Sequence, residues 1–348
     1  MSKVIEEYTL RKARFFTILS LLIITLFLTL TLSIAIGSTG LNFSNPLNFV
    51  VKVIKNEPLS PDEEIQLHIR LPRTLSAIAV GALLAISGVL IQVITRNPLA
   101  EPFLLGLSSG ALVFVSLSVL VMQVIICYKH LMALSAFAGA MIALIITFTI
   151  SEIAGATVTS LILAGIAVTS LFSGASHILT FLAQVRLKRP FIILLLGTFS
   201  TALISDIPLL YTVLAIGFSL SIAMAKRLNA IMYGDEHSLQ LGYNPITTRR
   251  AAALLASLMT GVSVSIAGII GFIGLVIPHI ARLIIGSDNR LVLVYSALIG
   301  AIILCLTDIM VRVLSLYGLG ELPVGAITSM FGAPFFIYLI IKRLRGRV

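Results

Sequence analysis

Residues 70–111 read RLPRTLSAIAVGALLAISGVLIQVITRNPLAEPFLLGLSSGA. The run 74–95 is 22 residues without a charge, and about 20 suffice to cross a bilayer core. Arg70 and Arg73 precede it. The turn Asn97-Pro98-Leu99-Ala100-Glu101-Pro102 follows it, and a second apolar run starts at once. Proline removes a backbone donor and disfavours helix at the residue before it. The stretch therefore reads as a hairpin of two membrane helices.

The rest of the chain supports lipid as its solvent. Of 348 residues 58% are hydrophobic and only 11% charged, against about 25% charged in soluble domains. Mean hydropathy is +1.11. Only helices or closed barrels satisfy the backbone in hydrocarbon, and the long uncharged runs favour helices. The net charge of +10 sits in loops and tails, as membrane orientation requires, so no nucleic-acid partner is expected. Cys127 and Cys305 lie in apolar runs and form no disulfide framework or zinc spacing. The basic N-terminus (Arg11, Lys12, Arg14) precedes the run 15–36, which is longer than a signal core of about 7–15 residues and reads as a first span.

The predicted fold class is all-α: a polytopic membrane protein with about ten transmembrane helices, one permease domain over 1–348. The spans are placed at 15–36, 74–95, 103–127, 131–151, 157–182, 208–225, 251–271, 272–285, 291–311 and 322–341. The eighth is short and rich in Gly and Pro. Residues 190–205 offer an extra outer-side helix, and 42–69, with Pro46, Pro58 and Pro61, reads as loop with short helical pieces. An even number of spans puts both termini on one side. Thirteen of the 24 Lys and Arg fall on that side and nine on the other, with Arg282 and Arg290 unassigned. Both termini are accordingly placed in the cytoplasm and the chain in the cell membrane. Gly81, Gly88, Pro98 and Gly106 recur at one constant offset as Gly261, Gly268, Pro278 and Gly286. With five spans between the starts, this is an inverted repeat, 70–170 and 250–345, of a kind common in transporters.

Four blocks now carry a resemblance. The opening stretch, 228–242 (LNAIMYGDEHSLQLG), 268–290 (GIIGFIGLVIPHIARLIIGSDNR) and 308–334 (DIMVRVLSLYGLGELPVGAITSMFGAP) together resemble the permease family of ABC importers for iron–siderophore, heme and cobalamin. The resemblance implies a homodimer, two copies of a cytoplasmic ATP-binding subunit, an extracytoplasmic substrate-binding protein, and a metal chelate as cargo. Permeases for molybdate-type oxyanions share the family. No G-x-x-x-x-G-K-[ST] loop is present, so ATP is held by another subunit. The chain is read as a transport subunit, not an enzyme, with no cofactor and no metal site.

The family's residue roles transfer as expectations. Arg70, Arg73 and Arg312 stand at outer helix ends and are expected to dock carboxylates of the binding protein, for which the guanidinium fork is suited. Asp308, four residues before Arg312, offers the latter an internal ion pair instead. Asn97 and Leu99 correspond to a cytoplasmic gate, with a second strip at Val158 and Thr159, although Val158 departs from the usual more polar pair. The inner segment 228–244 corresponds to the part that couples to the ATPase. There Gly234 and Gly242 bracket a short helix, Asp235 and Glu236 favour its N-terminus, and Leu239 and Leu241 offer apolar contacts.

Three rival readings are weaker. Gly106-Leu107-Ser108-Ser109-Gly110 matches the hydrolase pattern G-x-S-x-G, but its base would have to be His177, and close helix packing explains small residues better. His279, after Pro278, is read as satisfying freed backbone groups. Proton-coupled transport calls for intramembrane acids, and only Glu152, Asp206 and Asp308 come near the spans, all placed at ends. A channel would need a filter sequence, and none is visible.

Overall fold

The computed structural model describes residues 2–37, 40–41, 52, 55, 57–122, 129–155, 157–187 and 196–344. Cys127, Lys188, Arg189, Pro46 and the Val158 side chain fall outside the described residues. Among those described, ten helices correspond to the ten spans: α1 (Ser2–Ala35), α2 (Pro61–Ile94), α3 (Leu107–Met122), α4 (Lys129–Ile153), α5 (Val158–Leu187), α6 (Ile207–Ala223), α9 (Pro245–Ala267), α10 (Ile273–Ile285), α11 (Asn289–Leu314) and α12 (Val324–Leu344). Two short helices, α7 (Ala225–Met232) and α8 (Asp235–Gln240), lie between α6 and α9. A two-residue hairpin, Ile36–Gly37 against Gly40–Leu41, follows α1.

Helix α2 starts at Pro61 instead of the expected 74, because Ser60-Pro61-Asp62-Glu63 is a helix start. The Glu63 amide donates to the Ser60 hydroxyl, and the Ser60 amide donates back to the Glu63 carboxylate at 2.7 Å. A π turn at Gln66–Arg70 joins this start to the apolar run. Arg70 and Arg73 thus lie within the helix and not ahead of it. Elsewhere Asn244 caps α9 through its side chain, with Pro245 at the first position, and Asp288 caps α11.

Helix α2 is the axis of the fold. Its most apolar window is 100% buried by the rest of the chain, against 11% for α1. Burial this complete needs backbones in contact, and glycine supplies it. A Cβ on Gly81 would meet the carbonyl of Gly300 in α11, and one on Gly88 the carbonyl of Gly274 in α10. Against α9 the contact is polar: Ser87 shares a 2.8 Å hydrogen bond with Thr260 and donates to the Ala256 carbonyl. Arg96, just past the end of α2, reaches the Asp235 that also holds Arg249 at the start of α9. The two helices are therefore antiparallel. Phe27 of α1, Leu171 of α5 and Met330 of α12 are exposed, as a lipid-facing or partner-facing rim requires.

Two helices are too short to cross. At about 1.5 Å per residue, α3 and α10 reach about 24 and 20 Å against a core of about 30 Å. Irregular backbone makes up the depth, and such backbone is stable only where protein covers it. Before α3, the single 3-10 turn Pro102–Leu105 ends on Gly106 with φ +80°. Its carbonyls are also held from α4 and α5: Thr147 donates to Leu105, and Thr169 to Phe103, which accepts the Gly106 amide as well. Before α10, Thr198 donates its amide to Ala267, and Gly197 accepts from Val324. Of the extra helix expected at 190–205, residues 197–205 instead form a bend, a turn and the start of a 3-10 turn, and 190–195 lie outside the described residues.

Candidate functional site

Arg70, Arg73 and Arg312, expected at outer helix ends, are buried and bound to the chain itself. Arg73 donates through Nε to Asp308 at 2.8 Å and through a terminal nitrogen to Glu321 at 2.8 Å. Arg312 pairs with the same Asp308 at 3.1 Å, so the internal pair open to Arg312 in the sequence is formed. Arg312 also donates to the carbonyls of Ser33 and Ile36 and to the Ser33 hydroxyl. Arg70 donates to the carbonyls of Ile34 and Ala35. The cluster ties the C-terminal ends of α1 and α11 to α2 near Arg70 and Arg73. Asp308 is fully buried; Glu321 keeps 32% of its side chain in the open. Buried charges persist when paired in this way. Arg73 was placed at this surface by the sequence, but its partners lie far along the chain and leave no local signal.

At the opposite end of α2, Asn97 accepts the Leu99 amide at 3.0 Å, which shapes the turn after that helix. Its neighbour Arg96, held at φ +48°, was not singled out by the sequence. It donates to the carbonyl of Ile231 in α7 at 2.9 Å and pairs with Asp235. Arg249 pairs with the same carboxylate at 2.7 Å. The turn that carries Asn97 and Leu99 is thereby bolted to α8. Thr159 stands exposed at the start of α5, and no hydrogen bond joins it to Asn97 among the described residues.

Segment 228–244 has the expected form. Gly234 (φ +128°) and Gly242 (φ +79°) bracket α8 in backbone regions that glycine occupies without strain. Ser238 faces inward and donates to the Tyr243 carbonyl. Glu236 is exposed, as are Leu239 at 58% and Leu241 at 54%. Beneath it α7 buries Leu228 and Ile231, and Asn229 binds both Asp288 and Asn289 at the start of α11. The result is a short helix presented on a fixed base, its exposed side mixed: Glu236, His237 and Gln240 beside Leu239 and Leu241.

Glu101, in the connector between α2 and α3, is a further buried acid that the count of acids near spans passed over. It accepts the amide of Phe272, the residue that opens α10, at 3.1 Å. Burial pushes its carboxyl up to about 7, and the amide bond opposes this. The hydrolase reading fails on placement: Ser108 is buried at the start of α3, while His177 is exposed on α5.

A polytopic bundle, an irregular connector on either half, and an exposed helix anchored to the turn after α2 are now in place. The FecCD transport family matches residues 22–342. The chain belongs to this family. It is a multi-pass cell-membrane permease of the iron-chelate, heme and cobalamin class of ABC importers, a transport component and not a catalyst. Among its relatives, the "Probable iron chelatin transport system permease protein" of Helicobacter pylori is 37% identical over 300 residues, 86% of this chain and 89% of that one. The hemin transport system permease protein HmuU of Yersinia pestis is 37% identical over 288 residues, 81% and 85% of the two chains. The cobalamin import system permease protein BtuC of Halobacterium salinarum is 37% identical over 276 residues, 79% and 73%. A solved structure described as a metal-chelate type ABC transporter in an inward-facing conformation superposes with a TM-score of 0.79 at 28% identity, covering 94% of this chain and 99% of that one.

Proposed function

We propose that this permease carries a bulky metal chelate from an extracytoplasmic binding protein to the cytoplasm, driven by a separate ATPase. The observation that carries the reading is the ionic junction Arg96–Asp235–Arg249. It links the exposed helix α8, on which a motor can push, to the turn at the inner end of the central helix α2. Relatives named for iron chelatin, hemin and cobalamin support the cargo class. In this reading the chain works as a homodimer with two ATPase subunits. Exposed Leu171 and Phe181 of α5 with Phe331 of α12 form the partner face, and both termini are cytoplasmic. Asn97 and Leu99, with Val158 and Thr159 across the axis, close the inner gate.

Binding-protein docking falls on the outer ends of α2 and α11. Among the three arginines, Arg73 exchanges partners most readily, because Glu321 is partly solvated; Arg70 and Arg312 support the surface from below.

The test is reconstitution with the cognate ATPase and binding protein. Replacing 234–242 by a flexible Gly/Ser linker is expected to leave ATP hydrolysis running while chelate uptake per ATP falls at least about tenfold, since the push is no longer transmitted to the turn after α2. Uptake that keeps its wild-type ratio to hydrolysis refutes the coupling role. Uptake that persists without ATP refutes the importer reading itself.

A further inference from the structure

A cleft of 630 Å³ opens at the inner end of the bundle, between α4, the start of α5, the end of α2 and the first half of α9. Its volume falls among those of ligand sites, about 300–1,000 Å³. Arg96, Asp235 and Arg249 on its lining form the ionic junction described above; the transport reading makes no use of the cleft beyond them. Its two ends differ in chemistry. The deep wall is apolar, formed by Ile145 and Phe148 of α4 and Leu254 of α9. Ile145 is 56% and Leu254 47% exposed, so the described residues leave about half of each open. The mouth carries Arg96, Arg249 and Arg250.

The mouth is short of negative charge. Arg96 and Arg249 share one carboxylate, Asp235. The other acid on the lining, Glu152, stands exposed at the end of α4. Three cations thus face two anions. The Nε of Arg249 is buried and has no hydrogen-bond partner among the described residues. Arg250 is exposed and forms no ion pair among them. A buried donor without an acceptor calls for a group that can supply one.

Depth decides between occupants. The lining runs along α4 from Met141 to Glu152, which at 1.5 Å per residue is about 17 Å. A free phosphate fills only the mouth and leaves the apolar wall bare. An amphiphile with an anionic head and a hydrocarbon tail matches both ends at once, and basic pockets between helices on the cytoplasmic side suit anionic lipid heads.

We propose that this cleft is an inner-leaflet site for an anionic phospholipid, its phosphate seated against Arg249 and Arg250 and an acyl chain against Ile145, Phe148 and Leu254. The proposal rests on the transport reading only for the side of the membrane. Its test requires neither ATPase nor cargo, so the two fail separately.

The chain contains no tryptophan, so Phe148→Trp gives the full chain a single reporter inside the cleft. The variant is reconstituted in vesicles of phosphatidylcholine and phosphatidylglycerol, with one or the other brominated. Brominated phosphatidylglycerol is expected to quench with a relative binding constant at least about fivefold above that of brominated phosphatidylcholine, about one basic contact's worth. Adding Arg250→Gln removes that preference, and Arg250→Lys keeps it. A reporter at the exposed Leu134 (Leu134→Trp), on another part of α4, shows no preference. Equal quenching by the two lipids overturns the proposal, as does a preference that survives Arg250→Gln. Inorganic phosphate that abolishes the preference at constant ionic strength also overturns it, assigning the mouth to a free anion instead.

Discussion

Replacing Asp308 by Asn tests whether the outer arginines are part of the frame. Asp308 is fully buried in α11 and neutralises two guanidiniums, Arg73 at 2.8 Å and Arg312 at 3.1 Å, whose side chains are 6% and 2% exposed. The amide keeps the shape but removes the charge. Arg73 retains Glu321, whereas Arg312 is left with carbonyls and one hydroxyl. Breaking a buried pair costs about 3–5 kcal/mol, because the surviving charge stays desolvated. For a chain of 348 residues, 1 kcal/mol moves the midpoint by about 1.5 °C, so the expected drop is about 5–8 °C. The assay is thermal unfolding of the purified permease in detergent, read by the loss of the monodisperse size-exclusion peak. The double variant Asp308→Leu with Arg312→Met removes both charges and is expected to recover part of the loss, a coupling that independent sites do not show. A midpoint for Asp308→Asn within about 1 °C of wild type refutes the reasoning, because a solvated or mobile pair contributes little.

Two further outcomes follow from single contacts. Gly88→Leu places a side chain where the Gly274 carbonyl stands, and overpacking costs about 1–3 kcal/mol or more; folded yield should fall sharply, while Gly174→Ala, which meets nothing within 4 Å, should leave it unchanged. Glu101, with its carboxyl raised from 4.5 to about 7, favours its protonated form in the fold. Its contribution is complete below pH 4.5 and is lost as pH rises through 7. Thermal stability should therefore fall over that window, and Glu101→Gln should flatten the profile; an unchanged slope sinks the assignment.

The membrane hairpin, the ten spans and the helix between Gly234 and Gly242 were legible because each is written locally, in uncharged length or in paired glycines. The end of α2 was legible for the same reason, in Asn97-Pro98. Its start was not, because the capping sequence Ser60–Glu63 sits before charged residues that interrupt the apolar run. The site was harder. Asp308–Arg312 could be read from its four-residue spacing, but Arg73 to Asp308, Arg96 to Asp235 and Glu101 to Phe272 join positions 139 to 235 apart. Such pairs exist only once α2 is enclosed, and nothing near either partner announces the other. The shortness of α3 had a similar cause. Its apolar composition continues into 103–106, and only the left-handed Gly106 shows that the helix starts later.

The enclosure of α2 also has a consequence for how the protein is made. The helix that ends up deepest leaves the ribosome well before α9, α10 and α11, against which it packs. Its seat on α11 includes Gly300, which is synthesised long after Gly81. At about 5–20 residues per second, the stretch between those two glycines takes about 10–45 s. For most of it the notch at Gly81 and Gly88, with Ser87 and Arg73, lacks its final neighbours, whereas Arg70 already has the carbonyls of Ile34 and Ala35 in α1. The nascent α2 is therefore a client, held by the insertion machinery or by lipid until the last third of the chain arrives. Interruption of synthesis before α11 leaves a membrane segment that is still unfinished: notched at Gly81, and with Arg73 short of Asp308 and Glu321.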